Sequence, residues 1–301
     1  MAPNEPAMPG RGGRLPPKSP TLAGVEFAIR VRTRRRELGL AAETICKALD
    51  VSRVYYSAIE NHRANLSQAK LPVLLETLGY VGDESDEMTD LLRDASGSGW
   101  WGQYSDRAMS EDFAEFVGLE YGAKRARIYE SRLMTGLLQT RAYASEVVRA
   151  APEVSLADLS KVVDIRMRRQ DRVGGDDPLR LEIILSQAVL MQQFGGPEIL
   201  RDQLQDLVTK LEVSSWLEVR IQPFDQTPVG LTSASTLVLL DFESPHMPTA
   251  AWREAGEHLG VTYDQDVVAS LALRFEQALQ PTLDPDDSLD LIRSRLDELA
   301  I

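Results

Sequence analysis

Cysteine occurs once in this chain of 301 residues, at Cys46, and histidine three times, at His62, His246 and His258. A single thiol excludes a disulfide framework and fits a reducing compartment. The three histidines stand apart, and no H-E-x-x-H, G-x-S-x-G, P-loop or G-x-G-x-x-G accompanies them, so no nucleophile, base or phosphate cradle identifies an enzyme. The chain reads as non-catalytic, with no cofactor and no metal. Asp284, Asp286 and Asp287 lack the twelve-residue loop and terminal glutamate of a calcium site. Long apolar runs are missing as well: nothing approaches a transmembrane helix, and the first residues lack the apolar core of a signal peptide. A cytoplasmic protein with no membrane partner is expected. Positive charge is in deficit, with 33 Lys and Arg against 46 Asp and Glu and a net charge of −13.

That deficit is uneven. Residues 1–80 hold 12 basic against 7 acidic residues, whereas residues 81–301 hold 21 against 39. An acidic body repels nucleic acid and confines any DNA contact to the N-terminal part. There, Leu40 to Asn61 (LAAETICKALDVSRVYYSAIEN) scans as two short helices joined by a tight turn. The first runs from Ala42 to Leu49, Asp50 and Val51 turn, and the second runs from Ser52, a good N-cap, to Glu60. Ile45, Leu49, Val51, Tyr56 and Ile59 are spaced to share one small core, so the helices must cross steeply. The second helix keeps a polar outer face bearing Arg53, Tyr55, Ser57 and the small Ala58.

From about Phe27 to Gly79 the chain resembles the helix-turn-helix of the XRE family, the Cro and phage-repressor type, whose second helix lies in the major groove. The resemblance implies double-stranded DNA as partner. It places Arg53, Val54, Ser57 and Ala58 at the bases, and Ser52, Tyr55, Asn61 and Arg63 at phosphates. Arg35 and Glu60 stand where the family has an ion pair tying its first helix to the end of the recognition helix. The chain departs from the pattern at Cys46, where a small alanine is usual, at Asp50 and His62, where glycine is usual, and at Ala42, where a phosphate-binding glutamine is usual. Asp tolerates the left-handed conformation and Cys behaves as a small hydrophobe, so the fold survives both changes.

Residues 1–22, rich in proline and glycine, read as a disordered tail; residues 23–95 form the helix-turn-helix domain of about five helices, 96–99 a linker, and 100–301 a larger α+β domain with a small sheet. A first helix from about Gly24 to Leu38 presents Phe27, Val31 and Leu38 on one face. Ser67 is positioned to cap a fourth helix, which either begins late, near Leu71, or kinks at Pro72. Asp83 to Ala95 reads as a fifth. In the body, Arg180–Leu185, Leu217–Pro223 and Thr236–Phe242 read as strands. Ser155–Val173 (opened by a capping box with Asp158), Gln187–Phe194, Pro197–Leu211, Asp264–Leu279 and Ser288–Leu299 read as helices.

The ordered series Gly99-Trp100-Trp101, Gly118-Leu119-Glu120, Gly136 to Thr140 with Tyr143-Ala144, Arg166 with Arg169-Gln170, and Gln203-Leu204 resembles the C-terminal domain of actinobacterial, antitoxin-like XRE regulators. This resemblance implies a body that senses a ligand or a small protein partner encoded nearby and helps the chain to dimerise. The alternative it leaves is an antitoxin-like module that sequesters such a partner, with DNA binding secondary. Trp100, Trp101, Arg166, Arg169 and Gln170 are the candidate partner or ligand surface. Set against this, Trp100 and Trp101 also suit docking of the linker, and the arginine run Arg166, Arg168, Arg169, Arg172 also suits a solvated face.

Overall fold

The computed structural model describes residues 17–299 apart from 105–107, 152–153, 156, 228, 232–233 and 256–257. The N-terminal part holds five helices: α1 (Pro20–Glu37), α2 (Ala42–Leu49), α3 (Arg53–Glu60), α4 (Leu71–Thr77) and α5 (Asp83–Ala95). Helix α1 starts four residues before the expected Gly24. Ser19 caps it by accepting from the Leu22 N–H, and Pro20 suits the first turn because its missing N–H is needed by no partner there. The tail expected over residues 1–22 thus ends in helix from Pro20, and residues 1–16 lie outside the described residues. Phe27 and Val31 are buried as expected, but Leu38 is 46% exposed, because it stands past the last turn as the C-cap. Ser67 makes no capping bond; a 3-10 turn over Gln68–Lys70 intervenes, and α4 begins late, at Leu71, with Pro72 in its first turn.

The body comprises α6 (Glu111–Gly122), β1 (Arg125–Glu130), α7 (Arg141–Ala150), α8 (Leu159–Arg169), β2 (Arg180–Ser186), α9 (Ala188–Met191), α10 (Pro197–Val213), β3 (Leu217–Gln222), β4 (Thr236–Asp241), β5 (Ala250–Ala255), β6 (His258–Thr262), α11 (Gln265–Leu279) and α12 (Pro285–Glu298). The strands form one mixed sheet of six, ordered β3-β2-β1-β4-β5-β6. The β1, β2 and β3 ladder is parallel, linked by helical crossovers, while β4 pairs antiparallel with β1, and β5 and β6 follow it, each antiparallel to the strand before. Both faces of the central strands are covered. Ile128, Ile183 and Val238 pack into the large core that also takes Leu119 and Leu204, whereas Tyr129, Ile184 and Leu239 pack against Phe275 and Val268 of α11. Double burial explains why β2 and β4 read as nearly continuous apolar runs.

Helix α8 begins at Leu159, later than the expected Ser155. Ser155 and Asp158 do bond each other there, but in the turn before the helix, and a 3-10 turn over Gln170–Val173 closes it. Helix α12 begins earlier than expected, with Asp284 as its cap accepting from the Asp287 N–H. Ser288 is buried inside it for a specific reason. The Ile221 N–H on the outer edge of β3 donates to Ser288 Oγ at 2.9 Å, and the Ile221 carbonyl accepts from the Leu283 N–H at 2.9 Å. The entry to α12 so closes a stretch of exposed strand edge.

Candidate nucleic-acid interface

The motif is built on two backbone turns with positive φ. Asp50 (φ 49°) and His62 (φ 55°) are the two non-glycine residues of that kind among the described residues, and they flank α3. Asp50 ends α2 in the left-handed conformation, which a short polar side chain tolerates. Lys70 donates to the Leu49 carbonyl at the same helix end, where a cation suits the dipole. Ser52 then opens α3, its Oγ accepting from the Tyr55 N–H at 3.1 Å. Ile45, Cys46, Leu49, Tyr56 and Ile59 close the small core beneath, joined by Phe27, Val31, Leu74 and Met88 from the other helices.

A fork fixes the far end of α3. Arg35 Nε lies 2.6 Å from Glu60 Oε1 and its Nη2 3.1 Å from Oε2, with a third bond from Nη1 to the Leu40 carbonyl. The buried Tyr56 hydroxyl donates to the same Glu60 carboxylate at 2.9 Å. Burial raises the Tyr56 hydroxyl pKa well above its ordinary value, with the Glu60 charge adding to it, so the phenol keeps its proton. Arg35 is itself raised, chiefly by its hydrogen bond to Glu60.

The outward face of α3 carries groups with little structural employment. Val54 is 81% exposed, an aliphatic side chain standing in solvent in the first turn of the helix. Arg53 beside it is exposed and reaches Glu43 Oε1 at 3.0 Å. Ser57 and Ala58 are half-buried one turn on, and Asn61 and Arg63 are exposed beyond the helix end. Asn61 Nδ2 donates to the Ser57 carbonyl at 2.7 Å. Tyr55 spends its one proton on the Asn65 carbonyl at 2.7 Å. Glu43, the partner of Arg53, escaped the reading of the sequence. The signal was available, since an acid in the first turn of α2 faces the start of α3 across a steep crossing.

The five residues assigned to a partner surface in the body fare differently. Arg169 is buried and forks onto Glu120, Nε to Oε1 and Nη2 to Oε2 both at 2.8 Å, with Phe113 and Phe116 under its guanidinium. Trp101 is buried too, its indole N–H donating to Thr21 Oγ1 at 3.0 Å. Neither has surface to offer. Gln170 donates to the carbonyls of Gly136 and Gln139, and Arg166 to Gln139 Oε1, so both hold the turn that leads into α7. Trp100 is half-buried, stacked under the Arg168 guanidinium at 4.8 Å. Arg172 is buried and donates to the Tyr121, Ala123 and Asp177 carbonyls. Of the arginine run, Arg169 and Arg172 tie α8 and the turn after it to α6, Arg166 holds the turn before α7, and Arg168 is exposed over Trp100.

Among the described residues, no group of His, Cys, Asp and Glu is arranged to hold a metal, and no helix is long and apolar enough to cross a membrane. Residues 26–88 match the model of a helix-turn-helix domain, of the kind through which transcription regulators bind DNA. No curated protein and no solved structure matches the chain. Residues 113–294, the greater part of its length, match a Domain of unknown function (DUF5753), and the chain belongs to that family, carrying its domain behind a helix-turn-helix.

Proposed function

We propose that this chain is a sequence-specific transcription regulator of the XRE type, which lays α3 in the major groove and binds DNA as a dimer. The observation that carries the reading is Val54. A large aliphatic side chain 81% exposed, with Arg53 next to it on a helix otherwise anchored at both ends, has no role in packing and suits contact with base edges. Arg53 forks onto guanine, worth about 1–3 kcal/mol of discrimination, and Val54 meets a thymine methyl. Ser57 and Ala58 allow close approach one turn along. Ser52, Asn61 and Arg63, at the two ends of α3, hold phosphates. Phosphate oxygens only accept, and the Tyr55 proton is committed to Asn65, so Tyr55 contributes by holding the following loop instead of by the phosphate contact that the family pattern assigns it.

One helix-turn-helix reads too few base pairs to select a site, which is the reason for a dimer on half-sites about one helical turn apart. The acidic body suits the remaining tasks, assembly and response to a ligand or small protein partner. Trp100, Arg166 and Gln170 keep part of their surface for the latter. Selection of random duplex DNA by the purified chain tests the reading. A defined motif is expected, and Arg53→Ala should flatten the preference at one base position. Arg63→Ala should instead weaken all sequences alike and reduce the salt slope by about one. Selection of no motif, or a motif untouched by Arg53→Ala, would sink the docking.

A further inference from the structure

Helix α1 belongs to two cores. Phe27 and Val31 pack with the motif helices, whereas Val25, two residues before Phe27, packs with the body core, and Ile29 lies against that core as well. Its first turns cross α6 closely enough that only glycine fits. A Cβ on Gly118 would stand 2.3 Å from Thr21 Oγ1, and one on Gly122 2.6 Å from Leu22 Cδ2. Polar bonds fasten the crossing. The Ser19 hydroxyl donates to the Gly118 carbonyl at 2.6 Å, and the Ser244 hydroxyl, from the loop after β4, donates to Glu26 at 2.7 Å. Glu26 lies 3.8 Å from the buried Arg30, which pairs with Glu87 of α5 at 2.9 Å.

A second contact reaches the recognition helix directly. His62, in the turn that ends α3, packs its ring on α1 so tightly that a Cβ on Gly24 would lie 2.2 Å from its Cε1. On the body side, Glu115 of α6 lies close enough for its charge to act on that ring, and it is held by the Tyr263 hydroxyl at 2.6 Å. The half-buried ring thus packs on α1 and feels the charge of the body.

We infer that α1 makes the helix-turn-helix and the body one mechanical unit, and that the His62 contact with Gly24 delivers a change in the body to the end of the recognition helix. Close-packed helix crossings transmit displacement because they have no free volume to absorb it. The coupling holds whether or not α3 reads DNA, and its test needs none.

The chain carries its own two reporters. Cys46, the single thiol, is buried in the motif core, and all four tryptophans, Trp100, Trp101, Trp216 and Trp252, lie in the body. In a urea titration of the full chain, exposure of Cys46 to a thiol reagent and loss of tryptophan fluorescence should share one midpoint. Gly118→Leu drives a side chain into the crossing, and should move Cys46 exposure to lower urea than the fluorescence change. Its labelling rate in the absence of urea should rise by about tenfold or more. If Gly118→Leu does not fold, His62→Ala removes only the ring and should shift the thiol signal in the same direction. Separate midpoints in the parent chain would overturn the inference. So would midpoints that stay together, with unchanged labelling, in the folded variants.

Discussion

Each part of the molecule has a bidentate arginine–glutamate fork that ties one helix to another, and the two differ in what surrounds them. Arg35–Glu60 joins α1 to the end of α3, with side chains 14% and 8% exposed, and Glu60 keeps a second donor in Tyr56. Arg169–Glu120 joins α8 to α6, with side chains 9% and 3% exposed and two phenylalanine rings beneath the guanidinium. The first is a brace at the rim of a small domain. The second lies inside a large one, where a charge left alone is shut off from water. Burial and redundancy, not bond length, should set what each fork contributes, because removing one partner strands the other in whatever medium remains.

The largest effect should follow from breaking the inner fork. Glu120→Ala leaves the Arg169 guanidinium buried against aromatic faces, and should cost roughly 3–5 kcal/mol. Urea unfolding followed by tryptophan fluorescence measures it. A loss below about 1 kcal/mol would place Arg169 in water and undo the comparison. Arg35→Met should cost less, about 2–3 kcal/mol, because the Glu60 it strands retains the Tyr56 hydroxyl. Cys46 exposure in urea reads that variant. If Arg35→Met proves the more damaging of the two, the Tyr56 hydroxyl does not relieve the stranded Glu60.

The outer fork was legible in the sequence and the inner one was not. Arg35 and Glu60 sit in a motif whose helices are short, consecutive and marked by local signals: Ser52 as a cap, Asp50 at a left-handed turn, an apolar stripe between them. Glu120 and Arg169 were both noticed, as parts of separate motifs, but nothing local joins residues on helices so far apart in the chain. Four arginines within seven residues look like a solvated face until Glu120 takes Arg169 and the carbonyls of Tyr121, Ala123 and Asp177 take Arg172. Strand β1 (RARIYE) was missed because its two arginines break the apolar run, although Ala126 and Ile128 alternate with them as a sheet requires. Strand β5 (AAWREA) carries helix-forming residues, and only its pairing with β4 and β6 makes it a strand. The start of α1 was obscured by prolines that read as disorder, whereas Pro20 is the first residue of a helix held down by the body.

A smaller effect concerns pH and the seam between the two parts. Burial lowers the His62 pKa, against an opposing pull from Glu115 and the Gly24 backbone. The unfolded chain takes up this proton near pH 6.5 while the folded chain resists it. Below that pH the unfolded state therefore binds more protons, and stability falls as the pH drops; above about pH 7 the residue contributes no dependence. His62→Gln should remove this acid-side loss, seen as a flatter plot of urea midpoint against pH between about 5 and 7. An unchanged slope would mean that the ring is open to solvent and that the seam is looser than the contact with Gly24 implies.

The smallest effect on stability, and the most telling about function, should come from Glu43. Its bond to Arg53 lies between two exposed side chains, where solvent screens the charges and ordering two long chains offsets the gain. Glu43→Gln should leave the melting curve where it is. Under the proposed docking the same substitution removes a carboxylate that would compete with guanine for the Arg53 guanidinium and repel the phosphates, so affinity should rise while the preferred base at the Arg53 position stays the same. The rise should shrink as salt is added, since screening weakens the repulsion it relieves. A fall in affinity would mean instead that Glu43 holds Arg53 in the conformation that reads the base, and the carboxylate would then belong to the recognition surface and not to its restraint.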